Sequence, residues 1–226
     1  MKQIFISSSR KVIAVFLLIG GCAGFEPGLR LQELNRPRHP TVKATQEGLE
    51  VSVEEFCTPA KSTMMFDADL ASEGVIPLLV RVENAGTERY GARRIDMKAY
   101  LDGQLLVALE PRDAARQAAT SEYAGKALGW TLAAGPFAIL LWPFTIGASA
   151  VHTQGVNRRI EAYFEAASYQ DALLAPKQTA VGFVYFKRPD GAKCLEHLTV
   201  ETELVRDADA KRLTYKLALP PLGVSK

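Results

Sequence analysis

The stretch VIPLLVRVENAG, Val75 to Gly86, decides how this chain is read. Val75, Ile76, Val80 and Val82 are β-branched, and the run stops at Asn84-Ala85-Gly86, which predicts a strand entering a turn. Pro77 near its start suits a strand entrance or an edge. Upstream, LEVSVEEF (Leu49 to Phe56) alternates apolar and polar residues, as a half-buried strand does. Downstream, RRIDMKAYLDGQLLVAL (Arg93 to Leu109) splits at Asp102-Gly103, a two-residue hairpin signal. In the carboxyl-terminal third, TAVGFVYFKRPDGAKCLEHLTVETELV places two strands around a Pro-Asp-Gly turn, with Cys194 opening the second. RLTYKLALP adds another alternating run. Several short strands separated by turns predict a mainly β chain built as an antiparallel sandwich.

The middle differs in composition. RDAARQAATSEYAGKALGW reads as a helix and VNRRIEAYFEAASYQDALL as a second, amphipathic one, which together mark an insertion at about 112–172. Between them lies GWTLAAGPFAILLWPFTIGASA, Gly129 to Ala150. Its uncharged extent, about 127–151, is long enough to span a bilayer once. Three features oppose a single span. Strands before and after it would fall on opposite sides of the membrane. Both flanks are basic (Arg112, Arg116 and Lys126; Arg158 and Arg159), so no charge bias orients it. Gly135-Pro136 and Pro143 break it into arms too short to cross alone. An apolar helical hairpin or broken helix remains, packed on the sandwich or dipping into a lipid interface or a partner. Its contact residues would be Leu128, Trp130, Phe137, Leu140, Leu141, Trp142 and Phe144, the tryptophans suiting interface and core equally.

The opening MKQIFISSSRKVIAVFLLIGGCAG has a basic n-region, a short apolar core from Val12 to Ile19 and small residues before Cys22. Ile19-Gly20-Gly21-Cys22 resembles the lipobox of bacterial lipoprotein precursors. The resemblance implies a signal peptide over 1–21, cleavage before Cys22 and acyl groups on that cysteine; several acyl chains anchor far more firmly than one. Ala23 follows rather than aspartate, which by the same likeness implies the periplasmic face of the outer membrane in a Gram-negative cell. Residues 22–45 then read as an extended tether rich in proline and charge. The sandwich is expected over 46–219, and 220–226 as a tail. IPLLVRVENAGTERY, Ile76 to Tyr90, also resembles the B-strand and turn of immunoglobulin-like domains in bacterial surface lipoproteins, a likeness of fold that says little of function. With Cys22 lipidated, Cys57 and Cys194 remain, either as a disulfide in an oxidising compartment or as two buried thiols.

Chemistry is sparse. The chain carries 27 basic and 25 acidic residues; without Lys2, Arg10 and Lys11 the balance is 24 against 25, which gives no field for nucleic acid. His39, His152 and His197 lack zinc-ligand spacing, and His197 falls in an expected strand. Asp67-Ala68-Asp69 lacks the other ligands of a calcium loop. Glu54 and Glu55, adjacent on a strand, should point to opposite faces. No nucleophile motif or phosphate loop occurs, so no catalytic residue, cofactor or metal is expected. The reading is a lipid-anchored envelope lipoprotein, a non-catalytic docking module that uses its apolar insertion on a protein partner or lipid interface. The alternative is an apolar-ligand carrier or enzyme with a cavity between sandwich and insertion.

Overall fold

A computed structural model describes residues 27–34, 41–118, 158–192, 194 and 197–221. The strands are β1 (Val42–Gln46), β2 (Leu49–Glu55), β3 (Val75–Asn84), β4 (Tyr90–Leu101), β5 (Gln104–Leu105), β6 (Ala108–Leu109), β7 (Ala172–Leu174), β8 (Thr179–Lys187), β9 (Leu198–Arg206) and β10 (Arg212–Ala218). Every ladder is antiparallel. One sheet runs β1-β2-β3-β8-β6 and the other β10-β9-β4-β5, with β7 also on β4. The two make the expected β-sandwich. Asp102 and Gly103 both take positive φ (51° and 78°), the conformation a two-residue hairpin with the native twist requires.

Among the described residues, four helical segments cover the outer face of the first sheet: α1 (Pro27–Leu34), α2 (Pro59–Phe66), α3 (111–118) and α4 (158–167). Two cores result. Leu49, Val51, Val80, Leu204 and Tyr215 fill the space between the sheets. Phe56, Phe66, Tyr163, Phe164, Phe183 and Tyr185 fill the space between sheet and helices. Ring centroids there lie 4.8 to 5.3 Å apart for Phe66–Phe183, Phe56–Phe183, Phe66–Phe164 and Phe164–Tyr185, within the range of favourable edge and offset contacts. The outer faces of β9 and β10 meet water, and these strands keep the alternating burial that their sequences show.

Several sequence expectations give way here. β2 is buried on both faces, Ser52 and Glu54 included, because helices cover the side that alternation assigns to solvent. Residues 27–34 are helical, with Leu34 buried, and β1 pairs with β2, so the extended tether to residue 45 is not what forms. Pro77 sits in a central strand. Its carbonyl accepts from Phe56 N at 3.1 Å, and the missing reciprocal donor faces only the end of β2. β8 and β9, read around one turn, belong to different sheets, and so do β5 and β6. β7 is a strand where the second amphipathic helix was expected to continue. His197 precedes β9 at φ 54°, exposed, instead of lying within the strand.

After α4 the chain crosses directly over β8. Ser168 bridges to Phe183, Tyr169 N donates to Phe183 O at 2.8 Å, and a Cβ at Gly182 would stand 2.4 Å from Tyr169 Cα. Only a glycine admits so close a backbone approach.

Candidate functional site

Cys22 and the contact residues Leu128, Trp130, Phe137, Leu140, Leu141, Trp142 and Phe144 lie outside the described residues, as do His39 and His152. What surrounds the apolar stretch is described. Arg112 Nε lies 2.5 Å from Glu165 Oε1, and Arg116 Nε lies 3.2 Å from Glu161 Oε1. Four residues forward on α3 match four residues back on α4, so the two run antiparallel. Residues 118 and 158, which bound the apolar segment, therefore come to the same end of the pair. Ala114, Ala115, Ala118, Ile160, Tyr163 and Phe164 hold this stem on the first sheet, and Tyr163 Oη donates to Met65 O at 2.8 Å. Among the described residues no helix is long and apolar enough to cross a membrane.

Cys57 and Cys194 are joined by a disulfide, their Cα atoms 5.9 Å apart and 137 residues apart in sequence. The bridge links the end of β2, in the first sheet, to the turn before β9, in the second. Beside it Glu54 and Glu55 converge rather than diverge: Lys61 Nζ lies 3.5 Å from Glu54 Oε1 and 2.8 Å from Glu55 Oε1. The strand ends at Glu55, which frees its side chain from strict alternation, and Thr58 caps α2 so that Lys61 reaches both carboxylates. Glu55 Oε2 accepts from Cys57 N at 2.9 Å, while Glu54 Oε2 is buried with no hydrogen-bond partner among the described residues. Two acids held by one lysine fasten α2 to the sheet.

A cleft of about 510 Å3 opens where α4 gives way to β7, against a bulge in β4 between Ala92 and Met97. The bulge turns Arg94 into it. Arg94 Nη2 donates to Glu110 at 2.7 and 3.0 Å, and Arg94 N donates to Asp171 Oδ1 at 2.7 Å. Gln170 is spent on the end of α4, its Nε2 donating to Ser168 Oγ at 2.9 Å and to Glu165 O at 3.2 Å. Tyr169, only 1% exposed, also lines the cleft, and its hydroxyl has no hydrogen-bond partner among the described residues. Burial first, and the charge of Asp171 second, push that hydroxyl well above its ordinary pKa, so it stays protonated. Sequence reasoning missed this site because its walls come from residues 94, 110 and 165–171, which only the crossing over Gly182 brings together. The single local signal is the run Arg93-Arg94-Ile95-Asp96, which interrupts the strand's alternation.

The remaining polar candidates are structural. Asp67 closes α2 in the left-handed conformation, its N–H bonded to Thr63 O, and Asp69 Oδ1 accepts from Ser72 N at 3.4 Å. Among the described residues no three histidine, cysteine or acidic side chains are grouped to hold a metal ion.

No family model matches the chain, and no curated protein does. Among solved structures it is similar to a candidate lipoprotein (ycdA) from Bacillus subtilis, with 10% identity and a TM-score of 0.37. The likeness covers 79% of this chain, which spans only 38% of the other.

Proposed function

We propose that this protein is a lipid-anchored lipoprotein of the bacterial cell envelope, an immunoglobulin-like docking module held by acyl groups on Cys22. Its apolar segment, residues 127–151, engages an envelope partner. The observation that carries the reading is the antiparallel α3–α4 stem. Strands before and after the segment interleave in both sheets, so a single crossing between residues 118 and 158 would tear hydrogen-bonded sheets apart. The segment thus leaves and rejoins one domain on one side of the membrane. Burial of its apolar side chains against a partner, at about 25 cal/mol per Å2, supplies the affinity. The anchor confines the search to the membrane plane.

The test is fractionation of the full precursor in a bacterial host. The wild-type chain should stay with membranes, with a mass showing cleavage before Cys22 plus acyl groups. Cys22→Ala should be released. Replacing 127–151 by a short flexible linker should leave the melting temperature of the domain unchanged and abolish cross-linking to the partner. A Cys22→Ala chain that has lost its signal yet resists alkaline extraction overturns the anchoring scheme, and a linker variant that fails to fold makes the segment part of the core.

A further inference from the structure

We infer that the helical layer over the first sheet is the face this protein turns toward lipid, lying against the headgroups of the bilayer that holds Cys22. The inference rests on acylation of Cys22 and adds to that reading which side of the domain meets the membrane.

The deciding element is α1. A flexible tether over 22–45 would let the domain turn any side to the membrane. α1 removes most of that freedom. Leu34 is only 5% exposed, and Leu31 is partly buried against the aromatic core under the helices. Arg81, on the same side of β3, donates from Nη2 to Leu34 O at 3.1 Å, so the end of the helix is fastened to the sheet. The helix begins at Pro27, five peptide steps after Cys22. At roughly 3.3–3.6 Å per residue, those steps reach at most about 18 Å.

That reach selects a face. Stacked sheets lie about 10 Å apart, and a helix packed on a sheet adds about 10 Å more. The plane of the second sheet therefore stands about 20 Å behind the axis of α1, before its outward side chains are counted. A chain leading from Pro27 to a bilayer on that far side would also have to run round the edge of the sandwich. The five steps are too few for that path, whereas the outer surface of the helices lies only about 5 Å from their axes, well within reach. The exposed side of the layer suits the place. Met64 is 54% exposed, and Arg158 and Arg159 are exposed on α4. Apolar side chains and guanidinium groups are what the boundary between acyl chains and anionic headgroups accepts. The outer face of the second sheet instead offers paired charges, such as Arg212 with Glu203 at 3.1 Å.

Energy transfer tests this on the full chain, matured in a bacterial host and reconstituted into vesicles of phosphatidylethanolamine and phosphatidylglycerol that carry an acceptor dye on the headgroups. The donor dye sits on p-azidophenylalanine in place of Met64 or Arg159 on the helical layer, or of Lys216 on the outer face of the second sheet. All three positions are exposed, so the fold should tolerate each of them. Transfer from positions 64 and 159 should exceed that from 216, corresponding to heights above the headgroups that differ by about 20 Å. About twenty Gly and Ser residues inserted between Glu26 and Pro27 add an r.m.s. reach of about 25 Å and should collapse that difference. Equal transfer from the two faces, greater transfer from 216, or a difference that survives the insertion overturns the inference. Intact mass separates the two possible failures. Any of those results from an acylated chain overturns the orientation alone, whereas a chain without acyl groups overturns the anchor and the orientation with it.

Discussion

Gly182→Ala offers the sharpest test of the architecture. The new Cβ would stand 2.4 Å from both Cα and N of Tyr169 and 2.7 Å from C of Ser168. All three are backbone atoms, so no flexible side chain can swing aside. Restoring an ordinary carbon contact of about 3.5 Å requires the crossing to withdraw by about 1 Å. That shift breaks the Tyr169 N to Phe183 O bond, now 2.8 Å, at a cost of about 1 kcal/mol. Overpacking adds about 1–3 kcal/mol. The expected loss is thus about 2–4 kcal/mol, or roughly 5–15 °C in melting temperature for a domain of this size. Gly91→Ala is the control. It too lies in a strand of the sandwich, but its Cβ would meet nothing nearer than Val205 O at 3.7 Å, and it should stay within about 0.5 kcal/mol of wild type. Urea denaturation followed by far-ultraviolet circular dichroism measures both. Equal stability of the two variants would refute the crossing, and with it the assembly of the cleft.

Reducing the Cys57–Cys194 bridge releases a loop with a sequence separation of 137 residues, worth up to about 5 kcal/mol by chain entropy; calorimetry with and without reductant should show a large drop, and identical melts would contradict it. Lys61→Met leaves Glu54 and Glu55 buried without their cation. Because the lysine is 35% exposed, the penalty should be about 2 kcal/mol, below that of a fully buried pair, and adding Glu55→Gln should recover part of it. At the opposite end of the sandwich, the Lys211 side chain lowers the pKa of Glu47, and the Lys211 amide, then Arg206, lower that of Asp209. Depressed folded-state values contribute stability that is present above the ordinary carboxylate range near pH 4 and is lost as pH falls through the folded values. Lys211→Ala should therefore move the Glu47 part of the acid limb to higher pH in melts recorded across pH 2–6, and an unmoved limb would contradict it.

How much was legible differs from element to element. Asp102-Gly103 announced its hairpin because a two-residue turn is fixed by the residues within it, and Asn84 announced the end of β3 for the same reason. The buried Asn84 side chain accepts from Gly86 N at 3.0 Å and donates to Glu88 O at 2.7 Å. β10 was legible as an alternating strand because one of its faces meets water. β2 carries the same alternation, yet its polar face is covered, and nothing within LEVSVEEF says that α2 folds back over it. The convergence of Glu54 and Glu55 on Lys61 was hidden likewise, since it depends on where the strand stops. The cleft was least legible: Arg94, Glu110 and Asp171 are ordinary surface residues until a bulge and a backbone crossing bring them together.

By itself the sequence determined what short-range chemistry controls: strand-forming runs, the turns between them and the mainly β class. Tertiary structure alone decided which strands share a sheet, that the first sheet is buried on both faces, and which charges meet in the cleft. Turn and strand preferences are set by each residue's own backbone and immediate neighbours. Sheet order and burial are set by contacts between residues far apart in the chain, and those become defined only once both cores have closed.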